Sequence, residues 1–325
     1  MHLENALLDS RCNIRYIIDS NIQVLDQLLV KYPVLRSDYH QCKLATDENE
    51  ALIDPSVKAV IVCTPTSHHE RQICQALSSG KDVFSEKPIS DTVNAIQRCY
   101  SAAKAANRYL FCAFTKRFDP SCSEVVKYVK EGKLGKVHII KTVGIDPHFP
   151  PPGFLKDAGN MFQDFMIHDF DLASHILGEE PYQVFAIGKS HFEQVAAQNQ
   201  WDTIFAWLQF PCGAVAQLQN GRYASYGYDI RVEVFGDRGM IQVDNMHNRL
   251  NRYFTSTGEQ LPRIGDQHFY LNRYKEAFKC EMTHFFNCLE GKEEQLVFES
   301  DAALACKLAD AACQSAKAEH PVHIS

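Results

Sequence analysis

The chain has 325 residues, a length that accommodates about two domains. Its hydrophobic fraction of 45% and charged fraction of 22% are those of a soluble globular protein that needs no staples to hold a core. The net charge of -7, without a basic run, argues against nucleic acid or an anionic membrane as a main partner.

The first 115 residues alternate between short apolar runs and amphipathic stretches. Strands are expected at Ile14–Asp19, Lys43–Ala45, Ala59–Cys63, Asp82–Phe84 and Tyr109–Phe114. Helices are expected at Ile22–Lys31, Glu48–Ile53, His68–Ser78 and Thr92–Ala106. Nearly continuous apolar strands separated by helices imply β-α-β units and a parallel sheet covered on both faces, the doubly wound dinucleotide-binding class. After residue 118 the pattern changes. A helix at Pro120–Gly132 leads through a turn to Gly135, a strand at Val137–Ile145, a proline-rich loop at Pro147–Pro152 and an apolar helix at Met161–Leu177 ended by Gly178. From Val184 to about Thr255 the chain is strand-rich, with Thr203–Phe210, Ala214–Asn220, Asp229–Phe235 and Met240–Val243 separated by glycine-containing turns. Helices at Tyr270–Leu289 and Ser300–Lys317 close it. The second half is therefore an α+β unit, an open and mainly antiparallel sheet with helices on one face.

The twelve cysteines include no C-x-x-C pair, and several fall in apolar runs. Buried reduced thiols in a cytoplasmic protein are expected, without a metal framework. The N-terminus lacks the basic and apolar segments of a signal peptide, and no apolar run approaches the ~18 residues that cross a bilayer.

Four places carry candidate chemistry. Asp19 ends a strand, where an acid accepts hydrogen bonds from adenosine ribose hydroxyls and repels a 2′-phosphate; capping the next helix is the other role open to it. Ser20 and Asn21 follow it rather than an arginine, which favours NAD over NADP. Thr64 and Pro65 form a turn at a strand's carboxyl edge that feeds a helix, either a ligand-binding turn or an ordinary capped one. The adjacent His68 and His69 diverge on a helix and so do not form a metal pair. Lys87, in Ser85-Glu86-Lys87-Pro88, stands at the next carboxyl edge, either a surface lysine or a donor to a developing alkoxide. In the stretch from Asn160 to His175, α-helical spacing puts Asp164 and His168 on one face with Asp171 nearby. A histidine between two carboxylates gains basicity and a fixed tautomer, as a general base requires; the other reading is a buried pair that locks the helix to the sheet.

Taken together, Tyr16–Asp19, Cys63–Thr66 with His69, Ser85–Pro88, Lys116–Asp119, Asp164–Asp171 and Asn220–Gly239 resemble the Gfo/Idh/MocA family of oxidoreductases. The segment Tyr226–Gly236, after Asn220-Gly-Arg222, most resembles its inositol dehydrogenase branch. The resemblance implies an NAD(P)-binding Rossmann unit over 1–117 and a substrate-binding and oligomerising unit over 118–325. It implies NAD as cofactor, hydride removal from a secondary hydroxyl of a cyclitol or sugar, and a homodimer or homotetramer formed through the second sheet. It assigns catalysis to Lys87, Asp164 and His168, with His168 taking the hydroxyl proton, Asp164 orienting it and Lys87 holding the oxygen. Asp19, Thr64, Pro65, His69, Glu86, Lys87 and Arg117 would contact the cofactor, and Lys87, Asp171 and Tyr228 the substrate.

One departure stands out. The family opens with a strand and a G-x-G-x-x-G turn shortly before a histidine, and this chain enters at that histidine, His2; its sixteen glycines contain no G-x-G. The expectation is a parallel sheet without its central first strand, so that its neighbours pair abnormally or leave ladder groups open. A missing upstream segment, a shortened isoform, or a non-catalytic relative that binds a polyol or a protein without using the dinucleotide would each account for it.

Overall fold

The structure is a computed structural model that describes residues 1–150, 155, 159–245, 253–255, 258–260 and 270–324. Part of the proline-rich loop Pro147–Pro152 therefore lies outside the described residues. The chain opens with helix α1 (His2–Leu8), followed by β1 (Tyr16–Ile18), α2 (Ile22–Lys31), β2 (Lys43–Ala45) and α3 (Asn49–Ile53). Next come β3 (Ala59–Val62), α4 (Thr66–Ser78), β4 (Asp82–Glu86), α5 (Val93–Ala106) and β5 (Leu110–Ala113). Local chemistry sets these ends. Asn21 caps α2 by accepting from the Gln23 N–H, Thr92 caps α5 through the Ala95 N–H, and α5 stops where Asn107 turns left-handed at φ 51.

The parallel strands form two separate ladders, β1 with β2 and β3 with β4 and β5. β1 and β3 are not neighbours in either ladder, so the two parts of the parallel sheet stand apart. The three-stranded ladder is the better buried. Val83, Phe84, Phe111 and Cys112 have no exposed surface. Its core is completed by Met282, Phe285, Ala302 and Cys306 from helices near the end of the chain, which pack on this sheet as well as on the second one.

A short 3-10 turn, Thr115–Phe118, leads to α6 (Pro120–Lys130), which begins with proline at its first position and the Asp119 side chain capping the Ser121 and Cys122 N–H groups. The second sheet contains β6 (Val137–Ile145), β7 (Gln183–Lys189), β8 (Thr203–Gln209), β9 (Val215–Gly221), β10 (Asp229–Gly236), β11 (Gly239–Val243) and the short β14 (Val322–His323), in the order β11-β10-β6-β9-β8-β7-β14. Hairpin neighbours are antiparallel; β6, reached through no hairpin, lies parallel to β9 and antiparallel to β10. Among the described residues, β12 (Tyr253–Thr255) and β13 (Gly258–Gln260) pair with each other.

One helix differs from expectation. Met161–Leu177 reads as continuous α-helix, but Phe162–Met166 is a π-turn, and the α-helix α7 runs only over Ile167–Leu177, ended by Gly178 at φ 68. After the four-residue α8 (Glu193–Ala196), the expected Tyr270–Leu289 helix breaks at Tyr274 into α9 (Tyr270–Arg273) and α10 (Lys275–Leu289). The last helix, α11, spans Glu299–Ala318. The main core lies between the inner face of the second sheet and α6, α7 and α11, with Ile140, Phe170, Leu172, Ile204, Leu218 and Leu308 fully enclosed.

Candidate active site

The carboxyl ends of β1, β3 and β4 present the first group of residues. Asp19 follows β1, where its Oδ1 accepts the Asn21 N–H at 2.8 Å while Asn21 itself caps α2. Thr64 and Pro65 form the turn into α4, whose N-terminus has no side-chain cap. Thr64 Oγ1 donates to Gln72 Oε1 at 2.6 Å. His69 is buried, with one ring nitrogen 2.7 Å from the Pro88 carbonyl and the other 2.7 Å from the Thr64 carbonyl. It ties the β3 turn to the β4 turn, and its ring therefore serves the loops directly.

Glu86 ends β4, and its Oε1 lies 2.6 Å from His2 Nε2. Burial opposes its ionisation, but His2 and Lys87 outweigh burial and hold its carboxyl below the usual range. The next residue, Lys87, reaches across to the second half of the chain. Its Nζ donates to the Asp164 backbone carbonyl at 2.5 Å and lies 3.5 Å from Asp164 Oδ1.

The expected Asp164–His168 pair does not form. The π-turn at Phe162–Met166 breaks the four-residue spacing on which that pairing depends. Asp164 is instead held between Lys87 and Arg222, whose Nη2 donates to Asp164 Oδ2 at 3.1 Å. The expected gain in basicity of His168 is also absent. Burial, then Lys87 and Lys116, push the imidazole well below its ordinary value, so it is neutral. Its Nδ1 is enclosed without a partner.

Arg117, expected at the cofactor, and Asp171, expected at the substrate, pair with each other. Arg117 Nε donates to Asp171 Oδ2 at 2.9 Å and its Nη2 to Oδ1 at 2.6 Å. The same Nη2 lies 2.8 Å from Asp301 Oδ1, and Nη1 donates to the Leu296 carbonyl at 3.1 Å, so every guanidinium nitrogen is engaged. Burial works against this charge, and Asp171 with Asp301 more than restores it. Tyr228, expected at the substrate, packs in a buried cluster with Ile230, Tyr274 and Phe278.

Sequence reasoning missed the supports. Lys116 Nζ donates to Asp169 Oδ1 at 2.6 Å, and Asn220 Nδ2 to Asp169 Oδ2 at 2.9 Å, with Asp169 fully buried. Gly144 makes room for this contact, since a Cβ there would stand 2.7 Å from Asn220 Nδ2. Asp146 lies within electrostatic reach of the same groups; burial raises its carboxyl to about 6, opposed by Arg222 and reinforced by Asp164. The available signal was Asn220, which falls on the inward-facing side of the alternating strand Val215–Gly221 where Ala216 and Leu218 are apolar, with Arg222 just beyond it.

Asp19, the uncapped N–H groups at the start of α4 and Lys87 all stand at the carboxyl edge of the parallel strands, where folds of this class bind dinucleotides. Comparison with known proteins agrees. Residues 2–114 match the oxidoreductase family NAD-binding Rossmann fold, and residues 123–242 match the GFO/IDH/MocA C-terminal domain. The myo-inositol 2-dehydrogenase of Thermotoga maritima is 33% identical over 87% of this chain and 84% of its own length. The scyllo-inositol 2-dehydrogenase (NAD(+)) of Bacillus subtilis is 30% identical over 87% of this chain and 82% of its own length. A crystal structure of a myo-inositol dehydrogenase from Corynebacterium glutamicum superimposes with a TM-score of 0.88 at 25% identity, covering 100% of this chain and 95% of that one. With an NAD-binding Rossmann unit and the matching C-terminal unit on one chain, the protein belongs to the Gfo/Idh/MocA family of oxidoreductases.

Proposed function

We propose that this protein oxidises a secondary ring hydroxyl of a cyclitol, or of a sugar of similar shape, with NAD as the hydride acceptor. The observation that carries this is the Lys87 ammonium, supplied by one half of the chain and docked on Asp164 of the other, within electrostatic reach of the half-buried, neutral His168. A neutral imidazole is ready to take the hydroxyl proton. The ammonium donates to the same oxygen and stabilises the alkoxide as it forms. Asp164, fixed by Arg222, holds that ammonium in place. The Arg117–Asp171 and Lys116–Asp169 pairs brace the helix that carries His168. Bound NAD supplies the acceptor for the carbon-bound hydrogen, which leaves as hydride to give ketone, NADH and one proton. Asp19, Thr64 and Pro65 contact the cofactor directly, His69 and Glu86 by shaping the loops around it, and Tyr228 backs the substrate side.

The relatives named for inositol support a cyclitol as the first substrate to try. The test is NADH formation with myo-inositol, scyllo-inositol and a panel of sugars; no NADH from any of them, in protein shown to bind NAD, defeats the reading. The Lys87–Asp164 contact between the two halves of the chain supports this reading over a non-catalytic relative.

Assembly through the second sheet is part of the same proposal. Its outer face carries Phe185, Phe205 and Trp207 in stacked contact, with ring centroids 5.8 and 6.3 Å apart, and exposed Ile139, Val215 and Met240. A homodimer or homotetramer covers this face. Light scattering of the protein and of Trp207→Glu tests it, a monomer in both cases being the adverse result. Twelve free cysteines fit a reducing cytoplasmic setting, and none of the described helices is long and apolar enough to cross a membrane.

A further inference from the structure

Glu281, on α10, has no exposed surface. Its Oε2 accepts from Thr115 Oγ1 at 3.0 Å, and its Oε1 is enclosed without a partner. No ion pair among the described residues includes it. A bare carboxylate is strongly disfavoured in such a place, whereas a neutral acid with one hydrogen bond is tolerated.

The location matters as much as the burial. Cys63 and Cys112, at the ends of β3 and β5, lie within electrostatic reach of both Glu281 and Glu86. Glu281 therefore sits beneath the carboxyl ends of the three-stranded parallel ladder, the edge where such folds bind dinucleotides. Its neighbour Glu86 has His2 and Lys87 to support a charge, and Glu281 has no cation. Of two carboxyls in mutual reach, the one without cations keeps the proton. Burial and the charge on Glu86 push the Glu281 carboxyl well above the usual range, and Thr115 opposes them only in part.

Thr115 opens the 3-10 turn whose next two residues, Lys116 and Arg117, grip Asp169 and Asp171 of α7. The turn is thus held from both sides, by α7 through two ion pairs and by α10 through one hydrogen bond. We propose that Glu281 is a positioning residue of the reaction, an uncharged carboxylic acid that seats Thr115 and thereby fixes the Lys116–Arg117 turn between the dinucleotide edge and the helix bearing His168. This rests on the dehydrogenase reading. Of the two carboxyls at this edge of the parallel ladder, it leaves only Glu86 charged. A second charge would favour the cationic oxidised nicotinamide over the reduced form.

Three variants of the full chain, Glu281→Gln, Glu281→Leu and Thr115→Val, test the proposal by calorimetric titration with NAD+ and with NADH, alongside kcat and KM for the accepted polyol. Glu281→Gln keeps a neutral acceptor for Thr115, so the ratio of the two dissociation constants stays within about twofold and kcat within about threefold. Glu281→Leu and Thr115→Val each lower kcat about tenfold with little change in KM for the cofactor, and the double variant is no worse than either single one. A tenfold-scale shift of the ratio toward NADH in Glu281→Gln shows an ionised Glu281 and overturns the proposal, as does full activity in Thr115→Val. If Glu281→Leu fails to fold, the other two variants decide. If the parent protein binds NAD but oxidises no polyol, the dehydrogenase reading fails, while the ratio in Glu281→Gln still reports the charge on Glu281.

Discussion

The two sheets hold their chemical groups by different means. At the parallel edge, Asp19, Thr64 and Pro65 stand on loops and Glu86 at a strand's end, and their contacts are with neighbouring backbone or with one side chain each. Against the second sheet, Asp164, Asp169 and Asp171 are set on one helical segment, and each is gripped by a different cation, Arg222, Lys116 and Arg117. Loops suit a cofactor that must enter and leave, while a buried ionic frame suits groups whose positions must hold to a fraction of an ångström. The difference implies that damage on the first side weakens binding by degrees and damage on the second abolishes turnover or folding.

The largest effect tests that division directly. His168→Asn lowers kcat/KM by about 10³-fold, with NAD affinity unchanged by calorimetry; survival of activity within about tenfold would remove the second side's claim to the chemistry. Next comes the frame. Lys116→Met leaves Asp169, with no exposed surface, without its cation. Urea unfolding then shows a loss of about 3–5 kcal/mol, and a loss under about 1 kcal/mol means that Asn220 alone suffices. Arg222→Met frees Asp164 and loosens the seat of Lys87. Expected is a fall of about 10²-fold in kcat with cofactor affinity unaltered, and an equal fall in affinity blurs the comparison.

A smaller effect reads the frame through pH. Burial, then Arg117 and Lys130, lower the His175 imidazole to about 4. Between pH 6.5 and 4 the unfolded chain binds a proton there that the folded chain does not, so stability is lost as pH falls through that window. His175→Gln removes this contribution, about 2 kcal/mol after allowance for partial exposure, and flattens the acid limb of a denaturation-midpoint profile. The smallest effect lies at the loop edge. Asp19→Ser removes the repulsion of a 2′-phosphate and narrows the preference for NAD over NADP about tenfold, measured as the ratio of kcat/KM values.

Periodicity made most of the elements legible. Continuous apolar runs such as Ala59–Val62 and Leu110–Ala113 allow few alternatives to buried parallel strands, and Gly178 marks the end of α7 through its left-handed backbone. Asp164 and His168 could be named because charged groups inside an apolar segment need a reason, and Lys87 because it stands in a turn at a strand's carboxyl edge. Their partners could not. Arg222 and Asn220 lie more than fifty residues from the aspartates they hold, and local spacing carries no information about contacts across a sheet. The π-turn was invisible for a related reason: Asn160–Leu177 keeps α-helical composition throughout, and the extra residue shows only in the hydrogen-bond ladder.

That widened turn limits how this segment tolerates changes of length. The Asp164 carbonyl receives the Lys87 ammonium at the point where the helical ladder is stretched. Deleting one residue between Phe162 and Met166 would heal the helix into regular α-form and improve its local packing, yet it would rotate every later side chain by roughly 100° around the axis. The imperfection is therefore the part of the helix least open to repair, and a stability-guided redesign of this chain should leave it alone.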